Sequence, residues 1–180
     1  MKKSILLGLF INLILLNSAT SQCNYAKNEI DEFTKNELII TKLEYVYRPV
    51  FGDDIQMALA KSNADYAIIF NIFSEETLCF NSDSKLLLLL QDSTVVTLSK
   101  MSPKIECSEL EKVANGLQNK ATIVFSTNKG QLTALKDMTL VKVRLITTDE
   151  QITIDLSKNN TEKKAAASFF ERTVPCVINQ

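Results

Sequence analysis

Histidine and tryptophan are absent from this 180-residue chain, and only four glycines and three prolines occur. Each absence removes chemistry. Without histidine there is no Ser-His-Asp or Cys-His nucleophile, no imidazole acid or base, and no histidine-bearing zinc or iron site. Gly8 lies in the leader described below, and the remaining Gly52, Gly116 and Gly130 are too scattered to form a phosphate-cradling loop. Charge of one sign is lacking too. Lys and Arg number 20 against 21 Asp and Glu, a formal net charge of -1, and no basic cluster gives the footprint of a nucleic-acid or anionic-membrane binder.

A long apolar run is also missing. Lys2 and Lys3 precede an uncharged stretch from Ile5 to Leu16, and the polar Asn17-Ser18 follows. A membrane-spanning helix needs roughly 20 apolar residues, so this stretch is too short to span and reads as the core of a secretory signal peptide. Ala19-Thr20-Ser21 supplies the small residues signal peptidase requires, which predicts a leader over 1–21 and one mature domain over 22–180. Cys23 stands where a lipoprotein would carry its acylated cysteine. Gln22 occupies the position where lipoprotein processing takes Gly, Ala or Ser, so release is expected rather than a stable membrane anchor. Loss of Lys2 and Lys3 moves the formal charge from -1 to -3. A chain of this length buries roughly 70% of its unfolded surface, enough for a core without metals or cofactors, and none is expected.

All four cysteines, Cys23, Cys79, Cys107 and Cys176, follow the leader. In an exported chain an even count is compatible with two disulfides, for which three pairings exist. Nearness to the two chain ends favours Cys23 with Cys176, leaving Cys79 with Cys107; the alternative is that some are free, buried apolar residues. Spacings of 56, 28 and 69 residues exclude the paired short intervals of a four-cysteine zinc site.

The dominant hydrophobic period is two. From Leu38 to Arg48 the odd positions Ile39, Thr41, Leu43, Tyr45 and Tyr47 share a face, predicting one long strand that ends at Pro49. With Ile55 to Leu59 and Tyr66 to Phe73 it forms an antiparallel meander. Lys85 to Gln91, with five consecutive leucines, predicts a strand covered on both faces, paired through Asp92-Ser93 with Val95 to Leu98. Thr139 to Thr147 pairs likewise with Ile152 to Leu156 across Thr148-Asp149-Glu150, and Ala121 to Ser126 is a further strand. Helical signals are fewer: a short turn around Gln131 to Lys136, a capping box at Ser108 and Glu111 before Leu110, Val113, Ala114 and Leu117 in a segment that reads either way, and another at Asn159 and Glu162 opening a helix that Pro175 ends. The expected fold class is α+β: a single domain on a mainly antiparallel β-sheet of about seven or eight strands, with a C-terminal helix and one or two short helices.

Few reactive constellations survive. Ser82-Asp83-Ser84-Lys85 matches S-x-x-K by letter, but Lys85 opens a strand and no K-T-G partner occurs. Asp31-Glu32, Asp53-Asp54, Glu75-Glu76 and Asp149-Glu150 are paired carboxylates that fall mostly in turns, where solvated acids are ordinary. Tyr45 and Tyr47, with Phe70 and Phe73, are expected in the core rather than on a sugar- or peptide-binding platform. No catalytic, cofactor-binding or metal residue is therefore assigned.

The stretch Cys23 to Lys35, with its Asn28-Glu29-Ile30-Asp31-Glu32-Phe33-Thr34 run, and the later Lys142-Val143-Arg144-Leu145 strand before Cys176, resemble a group of small, uncharacterised exported proteins of Bacteroidetes-type bacteria. The resemblance covers the two ends of the mature chain. It implies export to the periplasm or exterior and a single domain, and brings no activity. The expectation is a noncatalytic binding or scaffold domain whose partner is a protein or glycan of the cell envelope. Two other classes stand beside it: a histidine-free hydrolase using a carboxylate pair on envelope carbohydrate, and an edge-strand protein-binding or inhibitor domain.

Overall fold

In the computed structural model residues 23–49, 52–113, 116–158 and 160–179 are described; the predicted leader lies outside them. Strand β1 (Tyr25–Ile30) turns back as β2 (Glu37–Thr41). The turn is organised by Asp31, whose carboxylate accepts the backbone N–H groups of Phe33 and Thr34 and the Thr34 hydroxyl.

The predicted long strand is in fact two. After Thr41 the chain breaks, and β3 (Glu44–Tyr47) resumes on the same edge of β4 (Asp54–Ser62) that β2 occupies. At the break the Thr41 hydroxyl accepts the Leu59 N–H at 2.9 Å, so a side chain stands in for the ladder carbonyl. The interruption moves the alternation by one residue. Ile39 and Thr41 are buried before it and Val46 after it, while Tyr45, expected inside, is 41% exposed. The Arg48 guanidinium lies 4.4 Å from the Tyr45 ring centroid.

Strand β5 (Asp65–Ser74) pairs with β4 along its whole length. Beyond it come β6 (Cys79–Phe80), β7 (Lys85–Leu90) and β8 (Val95–Lys100), the last two forming the predicted hairpin. Asp92 closes that turn by accepting the Thr94 N–H and hydroxyl. Buried Lys100 then shapes the return. Its ammonium donates to the carbonyls of Ser102 and Lys104 and pairs with Glu106 at 3.0 Å, and the Lys100 hydrogen bond holds the Glu106 carboxyl below its ordinary pKa. This return delivers β9 (Glu106–Cys107) to β6, making a small second sheet.

The capping box at Ser108 does not open a helix. Ser108 instead accepts the Leu78 N–H, and β10 (Glu109–Val113) pairs with β11 (Gly116–Thr127). Leu110 and Leu117, the intended helical stripe, are 64% and 65% exposed, so no core rewarded a helix there, whereas the long edge of β11 offered backbone partners. Gly116, at φ +131°, opens β11 in a conformation that side chains oppose.

Helix α1 (Lys129–Asp137) carries a reciprocal capping box between Asn128 and Gln131 and buries Leu132 and Leu135. Strands β12 (Leu140–Ile146) and β13 (Gln151–Asp155) pair as predicted, and helix α2 (Asn160–Ile178) closes the chain. Asn159, the expected cap of α2, lies outside the described residues. Pro175 does not end this helix, which continues to Ile178. The lost N–H is offset by burial of Val174, Cys176 and Val177, and by the Tyr25 hydroxyl donating to the Cys176 carbonyl.

Among the described residues eleven strands share one antiparallel sheet, in the order β1-β2-β4-β5-β11-β8-β7-β12-β13, with β3 on β4 and β10 on β11; β6 and β9 form the second. This exceeds the expected seven or eight. The surplus is in short strands: β3 and β10 are held by pairing to the longer β4 and β11, β1 by pairing to β2, and β6 and β9 by pairing to each other. Both helices lie on one face of this sheet-rich domain. There Phe70, Phe125, Leu88 and Val143 pack with Leu132, Leu135, Phe169 and Phe170, and α2 touches β4 on one flank and β12 on the other.

Candidate functional site

The cysteines form two disulfides. Cys23 joins Cys176, closing a separation of 153 residues and tying the chain ahead of β1 to the last turn of α2; Cys79 joins Cys107 between β6 and β9. Among the described residues no group of His, Cys, Asp or Glu could hold a metal ion. Nor does the S-x-x-K match build a nucleophile: the buried Ser84 hydroxyl accepts the Asn81 N–H in a turn, while Lys85 is exposed at the head of β7.

The paired acids are partly gathered. Asp53, Glu75, Glu76 and Glu150 line one open hollow of about 490 Å³ with Ser74 and Ile152, whereas Asp31 and Glu32 sit apart at the β1–β2 turn and Asp54 pairs with Arg48 at 3.7 Å. Among the described residues no aromatic side chain lines the hollow. Tyr45 and Tyr47 lie on β3, and Phe70 and Phe73 are buried.

Burial pushes the Asp53 carboxyl above its ordinary pKa. The Ser74 hydrogen bond opposes this, and the charges of Glu75 and Glu76 add to it. A carboxyl whose folded pKa exceeds its unfolded value holds its proton more tightly when folded, so stability falls as pH rises through that window. Asp53→Asn is therefore expected to raise the melting temperature at neutral pH, with the gain vanishing below about pH 3, where both states are protonated. Melting curves across that range check the assignment, and a pH-independent gain would contradict it.

The second feature lies on the opposite face of the sheet from the helices. Leu86, Leu88 and Leu90 of β7 point into the core, but Leu87 and Leu89 are only half-buried, which corrects the expectation of a strand covered on both sides. Strand register explains what surrounds them. One rung across β8, β7, β12 and β13 reads Thr97, Leu87, Arg144, Thr153, and the next reads Val95, Leu89, Lys142, Asp155. Residues directly opposite in antiparallel strands share a face, so two leucines are flanked by long cationic side chains on β12 and by a half-exposed valine on β8. The result is an open hollow of about 150 Å³ lined by Leu87, Leu89, Val95, Lys142, Arg144 and Thr153. Lys142 pairs with Asp155 at 3.5 Å, and Arg144 donates from Nε to the Thr153 hydroxyl at 2.9 Å.

Sequence reasoning noticed both contributing segments, the leucine run and Lys142-Val143-Arg144-Leu145, without joining them. The available signal was the run itself, since alternate leucines on a half-buried strand need something to cover them.

The fold and these two hollows define the class: a disulfide-braced antiparallel sheet with helices on one face and an open second face. No family model, curated protein or solved structure matches the chain.

Proposed function

We propose that the chain acts as a noncatalytic binding domain, exported to the periplasm or exterior and engaging a protein or glycan partner of the cell envelope. The observation that carries this reading is the open face of β8, β7, β12 and β13, where an apolar floor is left half-exposed and is flanked on one side by Lys142 and Arg144. Two disulfides suit the oxidising setting of an exported protein. The Cys23–Cys176 bond also supports release over anchoring, because a sulfur held in a disulfide has no valence left for the thioether of a lipoprotein cysteine.

Hydrogen exchange of the mature chain with and without envelope extract tests the reading. Slowed exchange over 85–100 and 140–155 is expected, and unchanged protection there would remove the support for a binding face.

A second reading, hydrolysis of envelope carbohydrate, draws on the convergence of Asp53, Glu75, Glu76 and Glu150. Glycosidases hold their carboxyl pair about 5–10 Å apart around a bound sugar, and among the described residues this open hollow has no aromatic wall to seat one. Release of reducing sugar that is abolished in Glu75→Gln or Glu76→Gln would reverse the order of these readings.

A further inference from the structure

We infer that the hollow over Leu87 and Leu89 is a binding site for a small apolar monocarboxylate, with an aryl or branched aliphatic body on the leucines and its carboxylate on Arg144. The inference deepens the binding-domain reading and rests on it.

The apolar floor is small. Leu87, Leu89 and Val95 are the apolar lining of an open hollow of about 150 Å³, a volume of the order of one benzene-sized body. A longer alkyl chain would have to continue over the hydroxyl-bearing rim at Thr97 and Thr153, which adjoin Leu87 and Arg144 in the same rung.

Charge selects the head group. The face carries Arg144 and Lys142 beside the leucines, and Lys85 lies two residues before Leu87 on the same side of β7, against Asp155 alone. This local excess of positive charge occurs in a chain whose formal net charge is -1, so it reflects a local grouping rather than overall composition. Arg144 makes no ion pair among the described residues. Its Nε is held by Thr153, which fixes the plane of the guanidinium and leaves the terminal nitrogens to donate to both oxygens of a carboxylate. Lys142, already paired with Asp155, retains ammonium donors for the second oxygen.

Neither half of the ligand suffices alone. An inorganic anion leaves the leucines exposed, and a neutral apolar molecule desolvates a guanidinium without pairing it.

The test is an NMR titration of the exported chain with both disulfides formed, using 3-phenylpropionate as probe, 3-phenylpropanol and acetate as controls, and a short peptide ending in phenylalanine as a competing source of the same chemistry. Expected are saturable shifts of the amides at 87–89, 95, 142–144 and 153, at least about tenfold weaker binding of the alcohol, and no saturation with acetate. Arg144→Gln, whose side chain is exposed and spares the fold, and Leu87→Glu should each weaken 3-phenylpropionate binding by about tenfold or more while the spectrum stays dispersed. Equal binding of acid and alcohol, an unaffected Arg144→Gln variant, shifts mapping elsewhere, or tighter binding of the peptide than of the free acid would each overturn the assignment. If the probe fails while envelope extract still protects 85–100 and 140–155 from exchange, the ligand class is wrong and the binding face stands; if both fail, the binding-domain reading falls with it.

Discussion

Replacing Cys23 and Cys176 together by alanine is expected to lower stability by about 3–5 kcal/mol, more than the corresponding change at Cys79 and Cys107. The bond closes 153 residues of sequence separation against 28 for the other. In the chain-entropy picture a cross-link stabilises by restricting the unfolded chain, and the restriction grows with the logarithm of loop length, to about 5 kcal/mol for the longer loop and about 3–4 kcal/mol for the shorter. Native-state effects point the same way. The clasp holds the last turn of α2, which contains Pro175 and so lacks one backbone hydrogen bond, and it holds the start of β1, most of whose residues are exposed. Without it, fraying should begin at both ends. Urea unfolding under non-reducing conditions measures the difference. Equal midpoints for the two double variants would show that loop length does not govern the stabilisation, and unfolding of the Cys79/Cys107 variant first would reverse the assignment of the main brace.

Phe170→Ala is expected to cost about 3–5 kcal/mol, the range for deleting a fully buried aromatic ring. Phe170 is completely buried, and its ring meets Phe169 edge to face with centroids 5.0 Å apart. The location matters as much as the area. Helix α2 touches both β4 and β12, so the cavity would open where one helix spans the sheet from flank to flank. Loss of near-ultraviolet ellipticity with retained strand signal, and fast exchange across α2, should accompany the destabilisation. Glu171→Ala, one residue on but exposed, should change stability by no more than about 0.5 kcal/mol. A Phe170→Ala cost that small would mean that α2 is not the lid of the core.

Much of the architecture was legible because it depends on near neighbours. The β7–β8 and β12–β13 hairpins follow from apolar alternation interrupted by Asp92-Ser93 and Thr148-Asp149-Glu150, and the short helical turn expected around Gln131 to Lys136 lies within α1. Misreadings occurred where a distant partner outbid the local pattern. The phase change after Thr41 depends on the Leu59 N–H, which no window around Thr41 contains. Segment 108–113 carries helix spacing but lies beside a long strand with backbone groups to satisfy. The acids read as separate turn pairs, yet folding brings Asp53, Glu75, Glu76 and Glu150 around one hollow from three places in the chain.

What the sequence determined by itself was the predominance of strands, the turns that connect them, the exclusion of histidine chemistry and the expectation of export from its leader. Each of these rests on composition or on residues within a few positions of one another. Tertiary structure alone decided which face of the leucine run is covered and whether α2 continues past Pro175. The reason is physical: strand alternation says that a side chain has a face, but which face is buried depends on where α1 and α2 come to lie. Leu86 and Leu87 are identical in composition and adjacent in sequence, and only the helices on one side of the sheet make the first a core residue and leave the second half-buried on the open face.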